Sequence, residues 1–170
     1  MKISYKHLLD SIPCAPDINE LSNNLFQLGH ENHIEGDCIE IEITPNRGDC
    51  LSVKGILRDL NIFYSTNILQ EIYNGDIQEY QFDFENYSKN ECSQVSFMKI
   101  EIEDFIKPYQ TKIDNYFKDL DINKNNFFTD ISNYISYELG QPTHCFDQGS
   151  MGGEEPSHRF SPPGLRSLSL

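Results

Sequence analysis

The chain has 170 residues, of which 27 are acidic and 13 basic, so its formal net charge is −14. Such an acidic surface repels phosphate, which makes the chain alone a poor candidate for tight, non-specific nucleic-acid binding. No apolar run reaches the roughly 18 residues needed to span a membrane, and the five cysteines show no CxxC pair. We therefore expect a cytoplasmic chain with no membrane segment, no disulfide framework and no metal site.

The first 64 residues alternate between strand and helix patterns. Met1–Ser4 predicts a short edge strand and Tyr5–Ser11 a first helix. A longer helix is predicted over Asp17–Leu28, because Asp17 is a good N-cap, an apolar stripe follows at helical spacing, and a glycine comes next. Cys38–Thr44 alternates apolar and acidic side chains, as a half-buried strand does.

The stretch ITPNRGDCLSVKGILRDL then predicts a strand end, a turn and a helix capped by Asp49 or Ser52. Gly55 inside this helix costs about 1 kcal/mol relative to alanine, which indicates close packing against another backbone. For Arg47 in the turn, an ion pair with Asp49 is favoured over ligand binding. The residues that we single out in this motif as structural are Thr44, Pro45, Asn46, Arg47, Asp49 and Gly55.

The rest of the chain is read as three further segments. Residues 65–90 are polar and weakly patterned, and predict a connector between a first domain, residues 1–64, and a second, residues 91–147. Within the second domain we expect a strand at Gln94–Ile102 and a helix at Lys107–Leu120. This succession of strands and helices predicts the α+β class with α/β-like alternation. Residues 148–170 are rich in Ser, Gly and Pro, which predicts a disordered tail or a lost reading frame.

The stretch DISNYISYELGQPTHCFD, which starts at Asp130, predicts a short helix with a sharp end. Ser132, or Asp130 just before it, is a good N-cap. The helix is expected to end at Leu139, because Gly140 supplies a left-handed residue and Pro142 forbids continuation.

After this end the chain is long enough to run back along the helix. His144 can then approach Ser132 and Asn133 at the expected N-terminus, where free N–H groups and partial positive charge lie. The geometry permits a polar site there but does not require one.

Two long segments carry a family resemblance. IEITPNRGDCLSVKGILRDL and DISNYISYELGQPTHCFD resemble two signature segments of the bacterial phenylalanine–tRNA ligase beta subunit. The start MKISYKHLLDSI and the helix end LFQLGHENHIE also look like this family's N-terminal region. The resemblance runs through about residues 1–147.

The resemblance implies a function in tRNA charging. The family's beta subunit pairs with an alpha subunit, usually as α2β2, to attach phenylalanine to its tRNA with ATP and magnesium. The synthetic site lies in the alpha subunit, so no catalytic residue, metal or cofactor is expected in this chain itself. The resemblance also implies an editing domain that hydrolyses tyrosine mischarged onto this tRNA, with Ser132, Asn133 and His144 as editing-pocket candidates.

Three departures from the family shape the interpretation. The usual oligonucleotide-binding insert is absent, and Glu31–Asp37 joins the flanking elements directly. Asn123 stands where the family often has arginine. The chain also stops within the editing domain, so we expect a truncated N-terminal part that is inactive alone. The alternatives are a non-catalytic interaction module that docks on the alpha subunit or another partner, and a free-standing editing hydrolase.

Overall fold

The computed structural model describes residues 1–68, 75, 79, 84–100, 112–147 and 158–160. The chain forms two compact units, residues 1–72 with 106–145, and residues 73–105 with 146–170. Helices and a small antiparallel sheet make up the first unit, so the predicted α+β class is confirmed. The domain limits proposed from the sequence stay a prediction.

The sheet of the first unit has three antiparallel strands. They are β1 (Lys2–Ser4), β2 (Glu31–Glu35) and β3 (Cys38–Glu42), and β3 lies in the centre. A tight turn joins β2 to β3, and Gly36 adopts the positive φ of +61° that this turn requires. The sequence indicated only a direct connection here. Strand β2 was missed because its side chains are mostly exposed and polar, so they show no apolar alternation.

The first two helices lie where their sequence predicts them. Helix α1 spans Tyr5–Leu9 and helix α2 spans Ile18–Gln27. The Asp17 carboxylate caps α2 by accepting hydrogen bonds from the backbone N–H groups of its first turn, at 2.8 and 3.0 Å. Gly29 has a φ of +85°, and this left-handed conformation ends the right-handed helix.

Two later helices complete the core of the first unit. Helix α3 spans Val53–Tyr64 and helix α4 spans Lys112–Asp119. Their buried side chains meet those of the sheet and of α1 and α2 in one apolar cluster. Its largest fully buried members are Ile3, Leu8, Leu21, Leu25, Ile39, Ile41, Val53, Ile56, Leu57, Leu60, Tyr116 and Phe117. Helix α4 is also held at the sheet edge, because Ser4 Oγ donates to Asp119 Oδ2 at 2.8 Å.

The last helix of this unit, α5, spans Phe127–Leu139 and corrects one prediction. Asn126 is its N-cap and accepts from the Thr129 N–H at 3.0 Å. Neither of the two predicted caps, Ser132 and Asp130, is therefore the cap: both lie inside the helix, since Asn126 offers an equally good capping side chain further upstream. At the other end, Gly140 is left-handed with φ +71°, as predicted.

The second unit contains a two-stranded parallel sheet. Strand β4 (Phe84–Asn86) pairs with β5 (His158–Phe160). Residues 94–100 form no strand, so the strand predicted at Gln94–Ile102 is wrong over this described part. Of the segment expected to be disordered, 158–160 form β5, and the remainder lies outside the described residues. Among the described residues no helix combines the length and the apolar character that crossing a membrane requires.

Candidate functional site

A small polar cavity lies along one side of α5. The helix contributes Thr129, Ser132, Asn133 and Ser136, and the returning segment contributes Pro142, Thr143, His144 and Cys145. The chain after Gly140 therefore runs back along the helix. It brings Ser132, Asn133 and His144, the three candidates from the sequence, to the wall of one cavity.

The position of this cavity differs from the expected one. The sequence predicts a site at a helix N-terminus with free N–H donors near Ser132, but α5 begins at Phe127. The N–H groups of Ser132 and Asn133 belong to the helix interior, where they are used in helical hydrogen bonds. Thr129 in the first turn of α5 also lines the cavity, but its N–H donates to Asn126, so no free N–H groups lie beside Ser132 and Asn133.

Side-chain hydrogen bonds hold the returning segment against α5. Thr143 Oγ1 donates to the Ser132 carbonyl at 3.3 Å. Ser136 Oγ lies 2.9 Å from the same carbonyl and 3.2 Å from the carbonyl of Gln141. Ser132 Oγ lies 3.3 Å from Cys145 Sγ. Hydrogen bonds thus hold the cavity wall in place, although residues 140–145 form no regular element.

The cavity has a volume of about 210 Å³. Ser132 is buried, Asn133 is half-buried and His144 is exposed. Pockets for drug-sized ligands usually start at about 300 Å³, so this one fits a group of amino-acid size. Hydroxyl, amide and imidazole groups can hydrogen-bond the polar atoms of such a group and hold a water molecule beside it.

The two signature segments meet at the end of α5. A Cβ at Gly140 would lie 3.2 Å from Ser52 Cβ, so glycine permits this close approach. Ser52 is the N-cap of α3 and accepts from the Gly55 N–H at 2.9 Å. The TPNR-type segment therefore supports the point from which the cavity segment turns back.

The turn before α3 is braced by a network of charges. Arg47 Nε donates to Asp49 Oδ1 at 3.0 Å, and Arg47 also pairs with Asp59. Arg58 pairs with both carboxylates. His30 Nε2 lies 3.0 Å from Asp59 Oδ2. The sequence indicated the neighbouring Arg47–Asp49 pair but not Asp59 or His30, which come from other elements.

These contacts shift the ionisation of the groups involved. Burial alone would raise the pKa of Asp59, but hydrogen bonds from Arg47, His30 and Arg58 outweigh it and lower the pKa to about 2. Hydrogen bonding to Arg47 likewise holds the pKa of Asp49 well below its usual range. Burial, together with the charge of Asp59, raises the pKa of the Cys50 thiol to about 11. The network therefore contains ionised carboxylates and a neutral thiol.

Three potential metal ligands lie within this network. The ligand atoms of His30, Cys50 and Asp59 are within 4.8 Å of one another, a set of donor types found in zinc sites. However, Arg47 donates to Cys50 Sγ at 2.7 Å and pairs with Asp59, so a guanidinium already occupies the place of a cation. We interpret the group as the interior of a salt-bridge network.

Comparison with known proteins gives a consistent set of relatives, although no family model matches the chain. A phenylalanine–tRNA ligase beta subunit from Pseudomonas putida is 32% identical over 68% of this chain. The beta subunit from Bacteroides thetaiotaomicron is 27% identical over 78%, and that from Psychrobacter arcticus is 28% identical over 84%. The chain spans 15% of the length of the first relative and 17% of the other two. By this similarity, the chain belongs to the family of phenylalanine–tRNA ligase beta subunits and corresponds to a small part of their length.

Proposed function

We propose that this chain acts as part of a phenylalanine–tRNA ligase beta subunit. In this role it contributes to the ATP-dependent attachment of phenylalanine to its tRNA, with the synthetic site in a separate alpha subunit, and to the editing of tRNA mischarged with tyrosine. The observation that carries the editing part is the convergence of Ser132, Asn133 and His144 on one cavity of amino-acid size.

The chemistry of the cavity suits hydrolysis of an aminoacyl ester. Such hydrolysis needs donors for the polar groups of the amino acid and a positioned water, and a covalent nucleophile is not required. In the proposal, the Ser132 hydroxyl and Asn133 amide bind the aminoacyl group, and His144 orients the water. The net charge of −14 argues that other parts of the assembly bind the tRNA backbone.

A deacylation assay tests the editing part. The full chain, with and without an alpha subunit, is mixed with Tyr-tRNA for phenylalanine, and release of tyrosine is followed. We expect His144→Ala and Asn133→Ala to slow release at least tenfold, in line with the loss of a positioned group. His33→Ala is the matched control, because His33 is an exposed histidine on β2. Equal rates for His144→Ala and the parent chain would refute the editing role.

An aminoacylation assay of the isolated chain tests the synthetic part of the proposal. We expect the chain alone to attach no phenylalanine to tRNA when ATP and magnesium are supplied, because the proposed synthetic site lies in another subunit. Turnover above background by the isolated chain would contradict this assignment.

A second candidate function is a non-catalytic interaction module. Large apolar side chains are exposed on α2 and α3, with Phe26 65% and Ile62 75% exposed. A contiguous exposed apolar patch marks a surface that contacts another protein, and this candidate function assigns Phe26 and Ile62 to such a patch. Co-purification of the chain with an alpha subunit, weakened by Ile62→Asp but not by Asn61→Asp, would support docking. Docking without any effect of His144→Ala on deacylation would favour the module over the editing role.

A further inference from the structure

The segment that returns along α5 is fastened by two neighbouring hydroxyl groups. Thr143 Oγ1 donates to the Ser132 carbonyl at 3.3 Å, and Ser136 Oγ lies 2.9 Å from the same oxygen. Within a helix this carbonyl also accepts from the N–H four residues later, which is that of Ser136. Three donors therefore compete for one carbonyl oxygen, which has two lone pairs.

A second acceptor relieves this competition. The Ser136 hydroxyl has one proton, and the carbonyl of Gln141 lies 3.2 Å from its oxygen. When Thr143 donates to the Ser132 carbonyl, the Ser136 hydroxyl can turn to Gln141. Each hydroxyl then bonds α5 to the returning segment, one at Gln141 and the other at Thr143. The two hydroxyls thus make two neighbouring hydrogen bonds between α5 and the returning segment.

We propose that Thr143 and Ser136 are positioning residues that set the place of His144 in the cavity. Thr143 immediately precedes His144, so its bond to α5 fixes the backbone from which the imidazole extends. Ser136 lies one helical turn beyond Ser132, on the side of α5 that lines the cavity. The catalytic consequence of this positioning depends on the proposed editing function, but the positioning itself can be measured without it.

The test uses the full chain and the NMR signals of the His144 imidazole, assigned with His144→Gln. Thr143→Val keeps the shape of the side chain and removes the hydroxyl, whereas Thr143→Ser keeps the hydroxyl. Thr129→Val is the matched control. Thr129 lines the same cavity, and among the described residues its hydroxyl makes no hydrogen bond to the returning segment.

We expect Thr143→Val to shift the His144 signals. The nuclear Overhauser contact between Ser132 and the side chain of residue 143 should also disappear in this variant. Ser136→Ala should shift the same signals. Thr143→Ser and Thr129→Val should leave them as in the parent chain, and all variants should melt within a few degrees of it. Unchanged His144 signals in Thr143→Val, or equal shifts in Thr143→Val and Thr129→Val, would overturn the proposal.

Deacylation of Tyr-tRNA adds a second readout. If the editing proposal holds, Thr143→Val should lower kcat about tenfold with little change in KM, because a misplaced group slows the chemical step more than binding. If the parent chain releases no tyrosine even with an alpha subunit, the editing proposal fails, while the NMR result still decides the positioning role.

Discussion

The His7 imidazole lies 2.6 Å from the carboxylate of Glu138 and joins the first helix of the chain to the last turn of α5. Both side chains are largely shielded from water, with exposed fractions of 5% and 19%. The His7 ring also lies 4.5 Å from the ring of Tyr116, measured between centroids. This contact holds the helix that carries the candidate cavity against the N-terminal part of the unit.

We therefore expect Glu138→Ala to destabilise the first unit substantially. Removing one member of a buried pair leaves the other member without its partner. Such a change typically lowers the free energy of unfolding by on the order of 3 kcal/mol. Urea unfolding followed by circular dichroism measures this loss. The control is Glu40→Ala, because the His33–Glu40 pair is exposed, with fractions of 61% and 46%, and exposed pairs contribute about 0 to 1 kcal/mol. Equal losses in the two variants would contradict the assigned role.

Gly55 should not tolerate even a methyl group. Its Cβ would overlap the carbonyl oxygen of Asp49 and lie 3.0 Å from the Cα of Cys50. Glycine to alanine inside a helix normally gains about 1 kcal/mol, so a loss would have the opposite sign. We expect Gly55→Ala to lower the midpoint of thermal unfolding by several degrees. Gly48→Ala is the control, since nothing lies within 4 Å of its Cβ position. A stabilised Gly55→Ala variant would show that this contact is absent.

Two buried tyrosines should respond in opposite directions to loss of the hydroxyl. Tyr116 is 2% exposed, and among the described residues its hydroxyl has no hydrogen-bond partner. Tyr64, by contrast, accepts from Asn24 at 2.5 Å and donates to Glu20 at 3.2 Å. Tyr116→Phe removes an unpaired polar atom, so it should be neutral or stabilising, whereas Tyr64→Phe should cost about 1 kcal/mol. Calorimetry of both variants measures their free energies of unfolding. A larger loss of stability in Tyr116→Phe than in Tyr64→Phe would refute the prediction.

Acid should weaken the charge network in a defined range of pH. The pKa of Asp59 falls to about 2 in the folded chain, below its ordinary value near 3.9. A lowered pKa means that this contribution to the free energy of unfolding is complete above about pH 4 and disappears as the pH falls toward 2. We expect Asp59→Asn to be less stable than the parent chain by about 2 kcal/mol at pH 7.

The measurement is urea unfolding of the parent chain and Asp59→Asn between pH 7 and pH 2. The difference between them should stay constant down to about pH 4 and then shrink, since the parent carboxylate becomes protonated. Asp17→Asn serves as a control for general acid effects, because Asp17 is an exposed capping residue outside the network. A difference that is independent of pH would exclude the linkage.

Local features of the sequence predicted much of the fold. The Asp17 cap, the alternation in Cys38–Thr44 and the glycine stop at Gly140 all act within a few residues, so a single stretch contains the information. The signature segments likewise predict that Ser132, Asn133 and His144 share a site, and the three residues line one cavity. The tight approach at Gly55 could be foreseen because glycine has no other advantage inside a helix.

Other features depend on contacts between distant segments. Strand β2 forms because β3 offers it backbone partners, although its own exposed and mostly polar side chains carry no strand pattern. Because Asn126 and not Ser132 caps α5, the cavity lies along the side of this helix and not at its end. The partners His7 and Glu138, and likewise His30 and Asp59, meet only after the chain has folded.

The sequence by itself therefore determined where most helices and the central strand lie, and it named Ser132, Asn133 and His144 as candidates for one site. Tertiary structure alone decided which face of α5 forms the cavity, how Thr143 and Ser136 hold it, and which charges become partners. The physical reason is range: capping and periodicity act over one or two helical turns, whereas a buried hydrogen bond or ion pair requires two surfaces to meet.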